Sequence, residues 1–174
     1  FHPAFFFFSH LLGGGTWSRI LHPFIGVVMV VSFFIFATQL WSQNKITAAD
    51  REWQKHLGDI LCNKATQLPE IGKYNIGQKY LFWILVITIA LLLVSGVVMW
   101  QPWFTPIFPI VLVRLASLVH AIAGFIAILA IIVHIYSAYW VKGSVRGMTR
   151  GTVTAAWAKH HHPAWYKEVS KGTR

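Results

Sequence analysis

Three histidines in this sequence lie inside long apolar stretches, and their spacing suggests metal-ligand chemistry. They are His22, His120 and His134. His120 and His134 bracket the segment HAIAGFIAILAIIVH, in which every other residue is apolar or glycine. On an α-helix, their separation of fourteen residues spans about 21 Å and returns to within about 40° of the starting direction. The two imidazoles therefore point the same way from one helix, at two different heights.

The composition indicates that these stretches lie in a membrane. Of 174 residues, 56% are hydrophobic and only 11% are charged, which is too apolar for a soluble domain of this length. The net charge of +10 does not indicate nucleic-acid binding, because the basic residues lie between the apolar blocks. The single cysteine, Cys62, excludes an internal disulfide, CxxCH haem attachment and a cysteine-ligated iron–sulfur cluster within this sequence.

Three blocks are long enough to cross a hydrocarbon core of roughly 30 Å, which takes about 20 helical residues. They are residues 20–41, 80–100 and 114–141, and three prolines stop the helix between the second and third blocks. The predicted fold is all-α, a transmembrane helix bundle with three spans in this chain. We expect residues 1–18 to be the end of a preceding span and a periplasmic turn, 19–141 the bundle with a loop at 42–79, and 142–174 a basic tail.

The basic residues predict the orientation of the bundle. Of the 15 lysines and arginines, six lie in loop 42–79 and seven follow the third span. Arg19 and Arg114 lie at the other ends of their helices. Positively charged loops stay in the cytoplasm, so we expect the loop and the tail there, in a multi-pass protein of the bacterial inner membrane.

The start of the sequence, FHPAFFFFSHLLGGG, lacks the charged region of a signal peptide. We interpret it as the tail of a preceding apolar segment followed by a flexible turn at the three glycines. This interpretation predicts a further helix before Phe1.

The histidines have several alternative explanations. A single histidine in a membrane helix is often a hydrogen-bonded packing residue, but three of them at two heights make packing alone a poor explanation. A proton relay usually includes an aspartate or glutamate, and the predicted spans contain neither. Zinc or copper needs a compact set of ligands, which a gap of about 21 Å does not give. Neutral imidazoles at two depths suit a pair of b-type haems held by histidines from different helices.

The depths of the histidines predict which of them share a haem. His22 lies near the outer start of the first span, where it can match His120, and Pro23 beside it is tolerated in a first helical turn. Gly26 and Gly124 follow these histidines by one turn and leave room for a macrocycle, although such glycines more often mark helix–helix contacts. His134 has no partner at its depth, so its second ligand has to come from elsewhere.

Four motifs resemble one family. RILHPFIGV around His22 and GKYNIGQK at 72–79 are similar to the gamma subunits, cytochromes b556, of membrane-bound formate dehydrogenases in the di-haem cytochrome b family. So are VHIYSAYWVKGSVRGM at 133–148 and WAKHHHPAWYKEV at 157–169, so that the resemblance covers nearly the whole chain from Arg19 onward.

The resemblance implies two haems b. His22 and His120 match the ligands of the haem nearer the periplasm, and His134 matches one ligand of the haem nearer the cytoplasm. The other ligand of that inner haem belongs to a first helix in the family, which has four spans. His160, His161 and His162 match the basic tail of the family rather than a metal site.

The resemblance also implies a quinone site beside the inner haem. Asn75, Gly77 and Gln78 match its lining, with menaquinone or ubiquinone as the acceptor. From the residues alone, YNIGQK is better explained as a helix start with Asn75 as N-cap; the resemblance favours the quinone.

We interpret the chain as the subunit that carries electrons from a periplasmic iron–sulfur beta subunit, through the haems, to quinone. Formate is oxidised in a molybdenum or tungsten alpha subunit, and protons are taken from the cytoplasm. The complex of these subunits can also form a higher oligomer, which the sequence does not decide. One alternative keeps the haems and makes the chain a subunit of a hydrogenase or thiosulfate reductase. Another is a haem-free scaffold or transporter subunit.

Overall fold

The structure is a computed structural model that describes residues 14–56, 58, 62 and 69–172. Within these residues all regular structure is helical. Three long helices carry the apolar blocks: α1 (Gly14–Leu40, 27 residues), α3 (Ile76–Met99, 24 residues) and α4 (Ile110–Trp140, 31 residues). Each is long and apolar enough to cross a membrane. The predicted all-α fold with three spans is therefore confirmed.

The first helix begins earlier than the sequence predicts. α1 starts at Gly14 rather than at residue 20, with Gly14 in a positive-φ conformation of 87° that favours glycine. The Ser18 hydroxyl donates a hydrogen bond to the Gly14 carbonyl at 3.1 Å, within the first turn of the helix. The predicted flexible turn is thus wrong for Gly14 and Gly15, while Gly13 and the preceding apolar segment lie outside the described residues.

Pro23 lies inside α1 and not in its first turn, so the prediction that it lies in the first helical turn is also wrong. A proline at this position has no amide hydrogen for the carbonyl four residues earlier, and its ring crowds the preceding turn. The apolar helix continues on both sides of it, which is tolerated more often in membrane helices than in water.

The connection between α3 and α4 is a tight, proline-rich turn, as predicted. It contains a single 3-10 turn at Thr105–Ile107, and the Thr105 hydroxyl donates to the Val98 carbonyl at 3.2 Å. The Pro109 carbonyl then accepts hydrogen bonds from the amides of Leu112 and Val113, which starts α4 four residues before the predicted 114.

Four shorter helices flank the spans: α2 (Ala48–Lys55), α5 (Ser144–Arg150), α6 (Ala155–His161) and α7 (Pro163–Gly172). α2 begins with a capping box in which Thr47 and Asp50 each bind the other's backbone amide. After α4 the chain turns at Gly143, whose φ of 97° favours glycine. The Trp157 indole donates to the Lys142 carbonyl at 2.8 Å beside this turn.

The described residues form two compact units. One comprises residues 14–38 with 86–127, and the other comprises 39–85 with 128–172. The first unit buries small or medium apolar side chains such as Ala37, Ala116 and Ala123, while most large apolar side chains of its helices are exposed. Exposed apolar surface of this extent suits a lipid environment.

In the second unit, the loop before α3 contacts the tail that follows α4. The Ile71 carbonyl accepts a hydrogen bond from the Ala164 amide at 3.1 Å, and the Gly72 carbonyl lies 2.8 Å from Nδ1 of His162. An ion pair joins Glu70 to Lys167. The two polar segments therefore lie side by side.

Candidate functional site

In the first unit, α1 and α4 bring His22 and His120 together as the sequence predicts. The centroids of the two imidazole rings lie 6.0 Å apart, and the ring planes make an angle of 76°. Two imidazole nitrogens bonded to one metal ion at about 2 Å each place their ring centroids roughly 6 Å apart. The spacing of the two rings therefore fits a metal ion held between them, as in a bis-histidine haem.

A hydroxyl orients the His120 ring. Oγ of Ser95 on α3 lies 2.9 Å from Nδ1 of His120, and the same hydroxyl lies 2.5 Å from the Leu91 carbonyl. The single hydroxyl proton goes to the carbonyl, so the oxygen accepts the proton carried by Nδ1. Nε2 is then the nitrogen with a free lone pair, which is the form of histidine that binds a metal.

The glycines near this pair have different surroundings. A Cβ added at Gly26, one turn after His22, would meet no atom within 4 Å, so there is open space beside α1. A Cβ at Gly124 would touch Leu92 at 3.8 Å, which makes it a helix–helix contact rather than a gap. At Gly96 an added Cβ would lie 3.4 Å from Cε1 of His120. Gly26 therefore fits a flat macrocycle nearby, and Gly124 does not mark one.

Sequence reasoning missed the contribution of α3 to this site. The pair Ser95 and Gly96 interrupts the run LLLVSGVVMW, and both residues lie against the His120 ring. A polar residue next to a glycine in an otherwise bulky apolar helix was the available signal.

His134 lies in the second unit on the continuation of α4, where its side chain is half-buried. Within the described part of the chain, its imidazole makes no hydrogen bond, ion pair or ring contact with another side chain. Its role as a haem ligand stays a prediction.

Asn75 and Gln78 form a reciprocal cap at the start of α3. Oδ1 of Asn75 accepts a hydrogen bond from the Gln78 amide, and Oε1 of Gln78 accepts one from the Asn75 amide, both at 2.9 Å. This is the N-cap that the sequence alone favours. The cap uses the two side-chain oxygens and leaves the side-chain amide nitrogens as donors. The quinone role of Asn75, Gly77 and Gln78 stays a prediction.

A cavity of about 210 Å³ lies beside this cap in the second unit. Its lining includes Asn75, Tyr74 and the ion pair between Lys79 and Asp50, whose charged atoms are 2.5 Å apart. Burial favours a raised pKa for Asp50, but the hydrogen bonds from Lys79 and Thr47 outweigh it, and the pKa falls below its ordinary value. Burial raises the pKa of Tyr74. The charged pair fixes α2 against the start of α3.

The three consecutive histidines of the tail pack rather than converge. Nδ1 of His162 bonds the Gly72 carbonyl, and the Trp157 ring lies 4.8 Å from that of His161. Burial lowers the pKa of His161, with smaller contributions from the histidines on either side. In the described ranges, no three His, Cys, Asp or Glu side chains form a metal-ion group.

Three apolar spanning helices and a close pair of histidines are the features expected of an integral membrane cytochrome b, and comparisons with known proteins show that class. The model of the prokaryotic cytochrome b561 family matches residues 2–151. The formate dehydrogenase cytochrome b556(fdo) subunit of Escherichia coli K12 is 46% identical over 171 residues, which cover 98% of this chain and 80% of the relative.

Two further relatives carry similar names. The nitrate-inducible formate dehydrogenase cytochrome b556(Fdn) subunit of E. coli K12 is 40% identical over 171 residues, covering 98% of this chain and 79% of the relative. The formate dehydrogenase cytochrome b556 subunit of Haemophilus influenzae is 41% identical over 168 residues, which cover 97% of this chain and 71% of the relative. The chain therefore belongs to the prokaryotic cytochrome b561 family and, within it, to the group of formate dehydrogenase cytochrome b556 subunits. The resemblance predicted from the four motifs is confirmed.

Proposed function

We propose that this chain is the electron-transfer subunit of a membrane-bound formate dehydrogenase, and that His22 and His120 hold its outer haem b. The observation that carries the proposal is the facing pair of imidazoles from α1 and α4, with centroids 6.0 Å apart. Haem b supplies reversible one-electron chemistry when it is bound. The chain itself would supply two imidazole nitrogens to the haem iron, with the His120 ring oriented by Ser95, and helices whose apolar side chains exclude water.

A second haem b has His134 as one of its ligands. The support is its position on α4, fourteen residues after His120, which is about 21 Å along the helix axis at a rise of about 1.5 Å per residue. The family resemblance supports the same assignment. No described residue lies against the His134 ring as a second ligand of this haem.

Menaquinone or ubiquinone accepts the electrons near the start of α3. The amide nitrogens of Asn75 and Gln78 are the donors for a quinone carbonyl, because their oxygens are engaged in the cap. Gly77 between them adds no side chain to the approach. A cavity of about 210 Å³ lies beside these donors, and its lining includes Asn75 and the charged pair of Asp50 and Lys79. Protons are taken up from the cytoplasm on this side.

The loop at 42–79 and the tail at 142–174 face the cytoplasm of a bacterial inner-membrane protein. The support is the excess of basic residues in both segments, together with the contacts between Gly72 and His162 and between Glu70 and Lys167. Segments that touch lie on the same side of a bilayer, which agrees with an even number of crossings between them. The bundle then runs from α1 to residue 141, and α1 begins at the periplasmic side.

The partners are an iron–sulfur beta subunit, which delivers electrons at the periplasmic side, and a molybdenum or tungsten alpha subunit that oxidises formate. The names of the relatives favour this assignment over a hydrogenase or a thiosulfate reductase. Electrons that move inward while protons are consumed inside separate charge across the membrane.

A spectrum of the intact complex tests the proposal. His120→Ala removes one axial nitrogen, so we expect loss of the outer haem and of about half of the b-type α band in the reduced-minus-oxidised difference spectrum. His160→Ala, at an exposed tail histidine, is the matched control and should keep the full band. A full α band in His120→Ala membranes that contain normal amounts of the subunit would falsify the proposal.

A further inference from the structure

Ser95 is a buried hydroxyl in a membrane-spanning helix, with 4% of its surface exposed. Its oxygen lies 2.9 Å from Nδ1 of His120 and gives its own proton to the Leu91 carbonyl at 2.5 Å. We propose that Ser95 is a positioning residue for the outer haem. It holds His120 in the Nδ1–H tautomer and lowers the reduction potential of that haem. This inference rests on the proposed function of His22 and His120 above.

The packing around Ser95 differs from that of an ordinary serine in an apolar helix. Ser32 on α1 is exposed, and its hydroxyl only returns to the Val28 carbonyl of its own helix at 2.8 Å. The Ser95 hydroxyl also donates to a carbonyl of its own helix, and its oxygen in addition accepts a hydrogen bond from the His120 imidazole on α4. Gly96 brings the α3 backbone close to the ring, since a Cβ there would lie 3.4 Å from Cε1 of His120. The ring is therefore fixed by both contact and hydrogen bond.

The direction of the effect on the potential follows from charge. A metal-bound imidazole carries more positive charge on Nδ1–H when the iron is oxidised, so its hydrogen bond to the serine oxygen is stronger in that state. The bond therefore favours the oxidised form. A hydrogen bond to a charged group changes an equilibrium constant about fivefold more than a hydrogen bond between neutral groups does. Removal of the acceptor should shift the equilibrium about fivefold toward the reduced form, which is about 40 mV at 59 mV per tenfold.

The experiment uses membranes that contain the complete complex with Ser95→Ala, Ser95→Thr or Ser32→Ala. A redox titration of the b-type α band gives the potential of each haem, and the low-spin ferric resonance reports the axial ligand field. We expect Ser95→Ala to raise the potential of the outer haem by about 40 mV and to change its resonance. Ser95→Thr, which keeps the hydroxyl, should restore most of the wild-type potential, and Ser32→Ala should match the wild type.

Several outcomes decide the inference. An unchanged potential and resonance in Ser95→Ala overturns it, because a serine that only joins two helices would give that result. If Ser95→Ala loses the outer haem, retention of the haem in Ser95→Thr supports the inference, and loss in both variants overturns it. The proposed function fails separately: full haem content in His120→Ala refutes the ligand itself, whatever Ser95 does.

Discussion

The ion pair between Asp50 and Lys79 gives a prediction whose size can be worked from its contacts. Their side chains are only 9% and 8% exposed, and Oδ2 of Asp50 accepts hydrogen bonds from Lys79 at 2.5 Å and from the Thr47 amide and hydroxyl at 2.7 Å each. Lys79→Met keeps much of the length of the side chain and removes its charge. The Asp50 carboxylate is then left buried with two neutral donors.

Breaking a buried ion pair by removing one partner costs about 3–5 kcal/mol. Because Asp50 keeps its two bonds to Thr47, we expect Lys79→Met to cost about 3 kcal/mol of the free energy that holds α2 against the start of α3. Asp50→Ala leaves the Lys79 ammonium buried without its partner and also removes the capping box, and loss of the box adds about 1 kcal/mol to the cost. In the double variant the two losses should overlap by about 2 kcal/mol, since neither charge is left alone.

Amide hydrogen exchange of α2 in the solubilised complex measures this local opening. Lys55→Met is the matched control, because Lys55 pairs with Glu52 on the exposed surface of the same helix. An exposed ion pair contributes little, so this variant should leave the exchange rates of α2 unchanged. The stabilisation should also depend on pH. The pKa of Asp50 is depressed from its ordinary value of 3.8, so the contribution is complete above about pH 4 and is lost as the pH falls through the lower folded value. Equal exchange rates in Lys79→Met and Lys55→Met would refute the reasoning.

Two further predictions concern the turn after α4 and the start of α3. Gly143→Ala should lower the stability of the tail by about 2 kcal/mol, because the φ of Gly143 is 97° and the new Cβ would lie 2.7 Å from a tryptophan ring. Gly151→Ala should cost about 1 kcal/mol, because its φ is 67° but the space around it is open. Limited proteolysis of the tail compares the two variants. Asn75→Ser should keep the helix cap but lose the amide donor, which lowers the rate of quinone reduction about tenfold. Asn75→Ala should in addition destabilise the start of α3 by about 1 kcal/mol, which hydrogen exchange measures. Equal quinone reduction in Asn75→Ser and the wild type would argue against the amide as donor.

The three spans and the pairing of His22 with His120 could be predicted from the sequence, because length, apolarity and helical periodicity determine them. The starts of α1 and α4 could not. A hydropathy pattern shows which residues prefer lipid, but α1 and α4 begin where Gly14 and Pro109 permit the first turn, four to six residues earlier. The cap at Asn75 was predictable, since both of its partners lie within one turn.

Contacts between distant segments were beyond sequence reasoning. Lys79 and Asp50 are 29 residues apart, and either could have faced water. Their pairing depends on the path of the loop that α2 belongs to, which no local pattern determines. The same holds for the bond between His162 and Gly72, separated by 90 residues. For this reason the sequence does not show which residues the tail histidines contact.

The missed role of Ser95 has a physical cause in how membrane helices are built. A helix that is apolar on every side has no amphipathic stripe, so periodicity cannot show which face points inward. In α3 the polar residues supply that information instead. Thr88 and Ser95 lie seven residues apart, which is two helical turns, and each is only 4% exposed, while Ile87 and Val94 beside them are 57% and 64% exposed. A hydroxyl in a membrane helix can bond a carbonyl of its own helix, as Ser32 does on the exposed side of α1, so a single polar position does not identify the inward face. Two polar positions two turns apart on one side of an apolar span, such as Thr88 and Ser95, are a stronger indication of the face on which ligand-orienting residues lie.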